Sequence, residues 1–365
     1  MTEGVLGGLI FVAVLAGMIL IHEFGHFLAA RLFKIEVEEF GIGFPPRALK
    51  LFAWKGTAFT LNWIPLGGFV RPKGENDPNV PGGLAAANPW KRLAVLFAGP
   101  LMNLLTGVLV YSILFTQNGF PDKVVIDEVN SPSPAERAGL QPGDVIVKVG
   151  GREIHAWEEL QSFTYAHLGQ PIQITYQRGD QIQEVTLVPR PNPPEGEGPI
   201  GVVITNYYKP ASSWFATLPY SAKFTYYGIR ELLALPGRIL AGALGPEDAQ
   251  IIGPRSIWNL FQQAVARDIQ SRQITPGESP EEAPTNYTLG LIISLTLTLG
   301  VLNLLPIPAL DGGRIFFTLP EILLRRRIPA RFENLAHGIG LIVLIALLGY
   351  FYVMDFFHPV NIPLP

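Results

Sequence analysis

Two histidines and a glutamate stand close together in an apolar stretch near the start of the chain. The pentapeptide His-Glu-Phe-Gly-His occupies positions 22–26, and no charged residue occurs at positions 4–21. On a helix, residues four apart lie one turn apart on the same face, so His22 and His26 can share one Zn²⁺. Glu23 beside them can then act as the general base for a water molecule.

The apolar run continues beyond this motif, from Phe27 to Ala30. Ionisable groups at membrane depth are costly, and they usually mark functional sites. The alternative is a helix that ends at the membrane interface, where both histidines and the glutamate simply face water. The continued apolar run argues against that alternative.

Composition indicates a membrane protein. The chain has 365 residues, enough for two or three domains, and 48% of them are hydrophobic. Only 16% are charged, where a soluble domain carries about 25%. A net charge of −3 gives no reason to expect a nucleic-acid partner, and there is no cysteine. Any zinc ion must therefore be held by histidines and carboxylates.

Four segments are candidate membrane-spanning helices by length and apolarity. They cover about 4–30, 93–115, 287–310 and 339–357, and the third is broken near its end by two prolines. Basic residues are denser in 31–91 and 313–331 than in the long segment 117–289. The positive-inside rule then places both termini and the long segment outside. The first and third crossings run in the same direction and end on the cytoplasmic side.

A third zinc ligand is available at the end of the third crossing. Asp311 follows the apolar, proline-containing stretch 303–310, at about the membrane depth of the two histidines. Prolines break the helix, and such a break can turn a carboxylate toward a neighbouring helix. Two histidines, one aspartate and one water would complete a tetrahedral catalytic site. Alternatively, Asp311 caps the helix that follows it.

Residues 120–205 have the composition of a soluble module. Strand patterns occur at 123–126, 144–149 and 172–176. Between the first two, residues 133–144 resemble the helix-and-turn signature of a bacterial PDZ domain, as do residues 150–154 after the second. PDZ domains bind peptides by strand addition at a sheet edge. The alternative is a small β-domain without a ligand.

Taken together, the motifs resemble those of site-2 proteases, the intramembrane zinc metalloproteases, of the PDZ-containing bacterial type. The resemblance rests on residues 21–27, on Gly99–Asn103, on the PDZ-like segment and on residues 303–313, whose Leu310–Gly312 matches the family's LDG motif. It covers nearly the whole chain. It implies a polytopic α-helical membrane protein with about four transmembrane helices, a membrane-associated β-hairpin region and one inserted α+β PDZ domain.

The resemblance also implies roles for individual residues. Glu23 would activate water, Asn303 would hold the substrate backbone, and Asn103 would support substrate binding from the second span. A helix-packing role is the alternative for Asn103. The implied zinc ligands are His22, His26 and Asp311.

The expected organisation has four parts. Residues 1–116 form an N-terminal membrane region, in which 41–44 and 62–70 resemble the family's membrane-dipping β-hairpin. Residues 117–205 form the PDZ domain, and 206–286 a linker with an amphipathic helix. Residues 287–365 form the C-terminal membrane region with the LDG motif.

These inferences converge on one function. The chain is expected to be a Zn²⁺-dependent endopeptidase of the cell (inner) membrane, with its active site toward the cytoplasm and its PDZ domain outside. The expected partners are the lipid bilayer, a pre-shortened single-pass membrane substrate, such as an anti-sigma factor or remnant signal peptide, and a peptide or C-terminal tail at the PDZ groove. One alternative is a membrane-bound PDZ scaffold with a non-catalytic metal site. Another is a zinc transporter, which the scarcity of polar groups in the second span disfavours.

Overall fold

The computed structural model describes residues 3–194, 196–240, 252–273 and 286–359. In chain order, the described elements are α1 (Glu3–Leu32), β1 (Val37–Trp54), β2 (Thr57–Pro72), α2 (Pro89–Asn118), β3 (Phe120–Val129), α3 (Pro134–Arg137), β4 (Val145–Val149), β5 (Arg152–Glu153), α4 (Trp157–Ala166), β6 (Ile172–Arg178), β7 (Gln181–Leu187), β8 (Val202–Lys209), α5 (Trp214–Leu240), α6 (Pro254–Gln273), α7 (Tyr287–Leu304), α8 (Asp311–Leu324) and α9 (Ala330–Phe357).

The chain divides into two compact units. One, the discontinuous unit, combines residues 1–111 with residues 251–365, and the other, the inserted unit, comprises residues 112–250. The helix α2 contributes to both. The chain therefore leaves the first unit near the end of α2 and returns to it before α6.

Among the described helices, α1, α2, α7 and α9 are long and apolar enough to cross a membrane. The third of these ends at Leu304, earlier than the expected boundary near residue 310. The reason lies in the two prolines that follow, because Leu305 precedes one of them and is extended, with ψ of 146°. The helix α9 begins at Ala330, nine residues before the expected start, because its first turns contain charged residues that lower the local hydropathy.

The predicted hairpin segments fall within β1 and β2, which are long and antiparallel. The first half of β1 pairs with both halves of β2; Gly41, for example, is a partner of both Phe69 and Thr60. The strands pack on the end of α1 through an apolar cluster that includes Phe27, Val37 and Phe40. The sheet is thus fixed beside the helix turn that carries the histidine–glutamate motif.

A helix that the sequence analysis did not anticipate, α6, packs along α1. Phe261 is fully buried and its ring lies 5.4 Å from that of Phe11. The carboxylate of Asp355 in α9 accepts the backbone N–H groups of Arg255 and Ser256, at 2.7 and 3.1 Å. This buried carboxylate caps the start of α6 and ties it to α9.

The inserted unit is built on an antiparallel sheet of order β7-β6-β4-β3-β8, with the short β5 paired to β4. Each of the three predicted strand patterns lies within or overlaps a strand, and Ser133 caps α3 by accepting the N–H of Glu136. The strand β8 continues to Lys209, and the expected linker 206–286 holds the end of that strand and the two long helices α5 and α6. The rest of that linker, 241–251 and 274–285, lies outside the described residues.

The stability of the inserted unit should depend on pH through Glu158 at the start of α4. Burial raises the pKa of Glu158 to about 7, and one carboxylate oxygen has no hydrogen-bond partner among the described residues. The unfolded chain titrates lower, near pH ~4.3, so the native state holds the proton more tightly. The unit is therefore most stable below that pH and loses stability as the pH rises toward 7.

We expect the free energy of unfolding of this unit to be lower at pH 8 than at pH 5 by on the order of 2 kcal/mol. Glu158→Gln should remove the difference. The measurement is urea denaturation of the full-length protein. Unfolding of this unit is followed by the reactivity of a single cysteine that replaces buried Ile146 in the cysteine-free chain. If wild type and Glu158→Gln show the same pH dependence of stability, that dependence arises from another titratable group.

Candidate metal centre

Three side chains from distant parts of the chain converge in the discontinuous unit. The Nε2 atoms of His22 and His26 lie 3.1 Å apart. Oδ2 of Asp311 lies 2.9 Å from the first and 3.3 Å from the second. Both histidines are buried, with exposed fractions of 7% and 8%. Ligand atoms of a tetrahedral zinc site with bonds of ~2.0–2.1 Å stand about 3.3 Å apart, so the three atoms fit around one ion.

The remaining ring nitrogens of the two histidines are held by α2. Nδ1 of His26 lies 2.8 Å from the carbonyl oxygen of Val95 and donates to it. Nδ1 of His22 lies 3.2 Å from the side-chain amide of Asn103, which is fully buried. Histidine ligands of zinc normally donate their other N–H to such partners, which fixes the ring orientation.

The amide of Asn103 carries a further indication of metal binding. With its Nδ2 toward His22, its Oδ1 is buried without a partner among the described residues. Zinc on Nε2 of His22 leaves the proton on Nδ1, and that proton needs an acceptor. A half-turn of the amide then presents Oδ1 to Nδ1. The metal-binding tautomer therefore satisfies an oxygen that is otherwise orphaned.

Close packing of α1 on α2 depends on two glycines. A Cβ atom on Gly25 would lie 2.4 Å from the carbonyl oxygen of Ala98, and one on Gly99 would lie 2.3 Å from Nε2 of His26. Real Cβ atoms do not approach so closely. Gly25 and Gly99, which both lie in motifs noted in the sequence, thus let α2 lie directly against the histidines.

Asp311 is the first residue of α8, and Leu310 occupies the N-cap position without a side-chain cap. The carboxylate points to the histidines. The alternative in which Asp311 serves as the N-cap of that helix is therefore wrong. The reason is the proline-containing loop 305–310, which turns the chain back so that the carboxylate faces α1.

Glu23 lies on the same helix turn, beside the two histidines. Its Oε2 accepts the backbone N–H of Val70 in β2, at 2.9 Å. The glutamate is thus held between the helix and the sheet. Sequence reasoning placed Glu23 beside the metal, but nothing in the sequence pointed to Val70 as its partner.

Asn303 stands in the last turn of α7 and is half-buried. Its side chain makes no hydrogen bond within the part of the chain that the structure describes. The two asparagines therefore differ, because Asn103 contacts a histidine of the cluster and Asn303 does not.

The sequence analysis missed His337, which lies in α9. Its Nδ1 accepts the backbone N–H of Ala309, two residues before Asp311, at 2.9 Å. A lone histidine near the start of an apolar span was the available signal, since ionisable groups in such segments are costly.

The donor set is one carboxylate oxygen and two imidazole nitrogens, with a glutamate beside them. Among the described residues, these three form the group of histidines and carboxylates that could hold a metal ion. Three protein ligands with a fourth position left for water or substrate are typical of catalytic zinc sites. The arrangement is that of a zinc hydrolase.

Comparison with known proteins agrees with this chemistry. The model of peptidase family M50 matches residues 10–347. The chain belongs to this family. It is therefore a site-2-type metalloprotease, with Zn²⁺ as the expected cofactor.

Relatives of the M50 chain cover almost its whole length. A "putative zinc metalloprotease" of Clostridium perfringens is 31% identical over 94% of this chain and 97% of its own. Zinc metalloprotease RasP of Geobacillus kaustophilus is 26% identical over 93% and 94%. Among solved structures, the PDZ domain of the SdrC-like protein of Listeria monocytogenes aligns with 23% of this chain and 88% of its own, at 22% identity and a TM-score of 0.21.

Loss of the Asn103 side chain should weaken zinc binding by the metalloprotease. We expect Asn103→Ala to raise the dissociation constant for Zn²⁺ by ~10–100-fold, the usual effect of removing a hydrogen-bond partner of a histidine ligand. Asn103→Asp, which still accepts from Nδ1 of His22, should retain most of the affinity. Thr106→Ala is the matched control one turn along α2, because among the described residues its hydroxyl donates to the carbonyl of Met102 and contacts no member of the cluster. If Asn103→Ala binds Zn²⁺ with wild-type affinity, the role of Asn103 is in helix packing.

Proposed function

We propose that this M50 protease hydrolyses a peptide bond within the transmembrane segment of a single-pass membrane protein already shortened on its outer side. One observation carries the proposal. His22, His26 and Glu23 lie within a 28-residue apolar helix, Val5–Leu32, that is long enough to span a bilayer. A catalytic group at that position acts on a bond at membrane depth.

The depth follows from helix geometry. At 1.5 Å per residue, His22 lies ~26 Å from Val5 along α1, near the far side of a ~30 Å hydrocarbon core. The distribution of basic residues favours a cytoplasmic location for that side. We propose this orientation for the chain, with both termini and the inserted unit outside.

The proposed zinc ligands are His22, His26 and Asp311. When bound there, zinc acidifies a water molecule and polarises the scissile carbonyl. Glu23 takes the proton of that water and passes it to the leaving amine. Its hydrogen bond from Val70 holds the carboxylate in place and leaves Oε1 available for the proton.

The substrate must lose its helical conformation, because a helix keeps each scissile carbonyl in a hydrogen bond. Among the described strands, the residues of β2 around Val70 pair only with the first half of β1. They therefore form an edge of the sheet. The outward N–H of Val70 points to Glu23. An extended segment pairing with this edge would lie beside the catalytic glutamate. We propose that the Asn303 side chain, which has no hydrogen-bond partner among the described residues, binds the backbone of that segment.

The assay uses purified full-length protein in detergent and a labelled single-span peptide with helix-weakening residues in its apolar segment. We expect cleavage within the span, loss of cleavage after chelation, and recovery on addition of Zn²⁺. A zinc-loaded, folded protein that cleaves none of several such peptides would contradict the proposal and favour a membrane-bound scaffold with a non-catalytic metal site.

We further propose that the module at residues 117–205 is a PDZ domain that restricts access of substrates with intact bulky outer domains. Its helix-and-turn signature, and the capped α3 between β3 and β4, support this assignment. It also offers β8, an edge strand, for pairing with a peptide or C-terminal tail.

Deletion of residues 120–205 should permit cleavage of an unshortened substrate, while the rate for a shortened one stays within a few-fold of wild type. The comparison uses one substrate with and without its outer domain. If the deletion protein cleaves only the shortened form, this module is not the filter.

A further inference from the structure

The loop that leads into Asp311 depends on one hydrogen bond from outside. Residues 305–310 contain two prolines, which have no N–H. Of the four remaining backbone N–H groups, three are hydrogen-bonded to nearby carbonyl groups. Their acceptors are the carbonyls of Leu302 for Leu305, Leu305 for Ile307 and Ile307 for Leu310. The exception is Ala309, whose N–H is accepted by Nδ1 of His337 at 2.9 Å. An N–H without such a partner would be costly in this setting.

The backbone at Ala309 needs external support. Its φ is +80°, in the left-handed region that residues with a Cβ rarely adopt. Such conformations persist where surrounding contacts enforce them, and they concentrate at functional sites. Here the strained turn lies two residues before the carboxylate that meets the two histidines, so its conformation sets where that carboxylate points.

A second contact from the same face of α9 supports the loop. A Cβ atom on Gly340 would lie 2.4 Å from the Cβ of Pro308, so the helix touches the loop directly there. Gly340 follows His337 by three residues, which places both on one helix face. The ring of Phe317 in α8 also packs against this histidine, with its centroid 5.6 Å from that of the His337 ring. Most of α9 beyond this face is exposed.

The chemistry of His337 favours a specific role over packing. Because its Nδ1 accepts an N–H, the proton of the neutral ring is on Nε2. That Nε2 is buried and has no hydrogen-bond partner within the described part of the chain. An ionisable residue in an apolar span is costly, and a polar atom without a hydrogen-bond partner adds to that cost. The presence of a histidine here is therefore explained by the hydrogen bond that its other ring nitrogen, Nδ1, accepts.

We infer that His337 is a positioning residue for the metal centre. It holds the amide of Ala309, and through that turn it keeps Asp311 directed at His22 and His26. The inference rests on the proposed function in assigning Asp311 as a zinc ligand.

Two substitutions at position 337 test this inference. In His337→Asn, Oδ1 stands close to the place of Nδ1 and can still accept from Ala309. His337→Leu has a similar volume and no acceptor. We expect His337→Leu to weaken Zn²⁺ binding by ~10–100-fold and to lower kcat for the span peptide at saturating zinc by about 10-fold, with KM unchanged. His337→Asn should stay within about 3-fold of wild type in both.

A second pair of variants reaches the same loop without changing a polar group. Gly340→Ala pushes against Pro308 and should weaken Zn²⁺ binding as His337→Leu does. Gly338→Ala, with no atom within 4 Å of its Cβ, is the matched control on the same helix. This pair keeps the test decisive if His337→Leu does not fold.

The outcomes separate this inference from the proposed function. If His337→Leu and Gly340→Ala bind Zn²⁺ with wild-type affinity, or if His337→Leu and His337→Asn lose affinity equally, His337 has no positioning role. If the wild-type protein binds Zn²⁺ yet cleaves no span peptide, the proposed function fails. The zinc titrations, made without substrate, still decide the role of His337.

Discussion

Glu23→Gln should abolish peptide cleavage while leaving zinc binding and folding intact. The substituted amide keeps an oxygen that can accept the N–H of Val70, so the side chain retains its position between α1 and β2. It cannot take a proton from water at neutral pH. Since general acid–base catalysis contributes ~10²–10⁴-fold to such reactions, we expect kcat to fall by at least about 100-fold.

The measurement compares cleavage of the span peptide with zinc affinity and thermal stability in the same preparation. Glu36→Gln is a suitable control, because that carboxylate is exposed and pairs with Lys73. Turnover at the wild-type rate by a zinc-loaded Glu23→Gln protein would exclude Glu23 as the base. Loss of zinc as well as activity would instead indicate that the glutamate helps to form the metal site.

Asp311→Asn should remove most of the zinc affinity. Asp311 is the anionic member of the cluster, and its Oδ2 lies within 3.3 Å of Nε2 of both His22 and His26. An amide oxygen is neutral and a weaker ligand. Loss of a hydrogen-bond partner of a ligand typically costs 10–100-fold in metal affinity, so loss of a ligand should cost at least about 100-fold. Zinc titration of the purified variant measures the change.

Asp355→Asn separates metal binding from helix capping. Asp355 is another buried carboxylate of the discontinuous unit, and it accepts backbone N–H groups at the start of α6. Its substitution should lower the melting temperature and leave the zinc dissociation constant unchanged. If Asp311→Asn shows that same pattern, Asp311 stabilises its helix and does not bind the metal.

Much of the local architecture can be predicted from the sequence, because its physical cause is local. The spacing of His22 and His26 places them on one helix face whatever surrounds the helix. Apolar runs of membrane-spanning length mark α1, α2, α7 and α9. The alternating patterns near 123–126, 144–149 and 172–176 correspond to strands of the inserted unit. Boundaries were less accurate where prolines or charged residues interrupt the pattern, as at Leu304 and Ala330.

The position of helix α6 cannot be predicted from the sequence pattern. Its sequence is too polar to predict a helix packed along α1, and its position depends on the Phe11–Phe261 contact and on Asp355. Each of these joins residues far apart in the chain. Local periodicity carries no information about such pairings.

The same division holds for the metal centre. The sequence by itself determined that two imidazoles share a helix face, with a glutamate beside them. Membrane depth and the proline break then offered Asp311, 289 positions away from His22, as a candidate ligand, and the family resemblance favoured that role over helix capping. Only the tertiary structure decided that Asn103 orients His22, that Val70 holds Glu23, and that His337 supports the loop before Asp311. These partners are fixed by how helices and sheet pack, and the packing depends on close contacts between residues that no spacing along the chain relates.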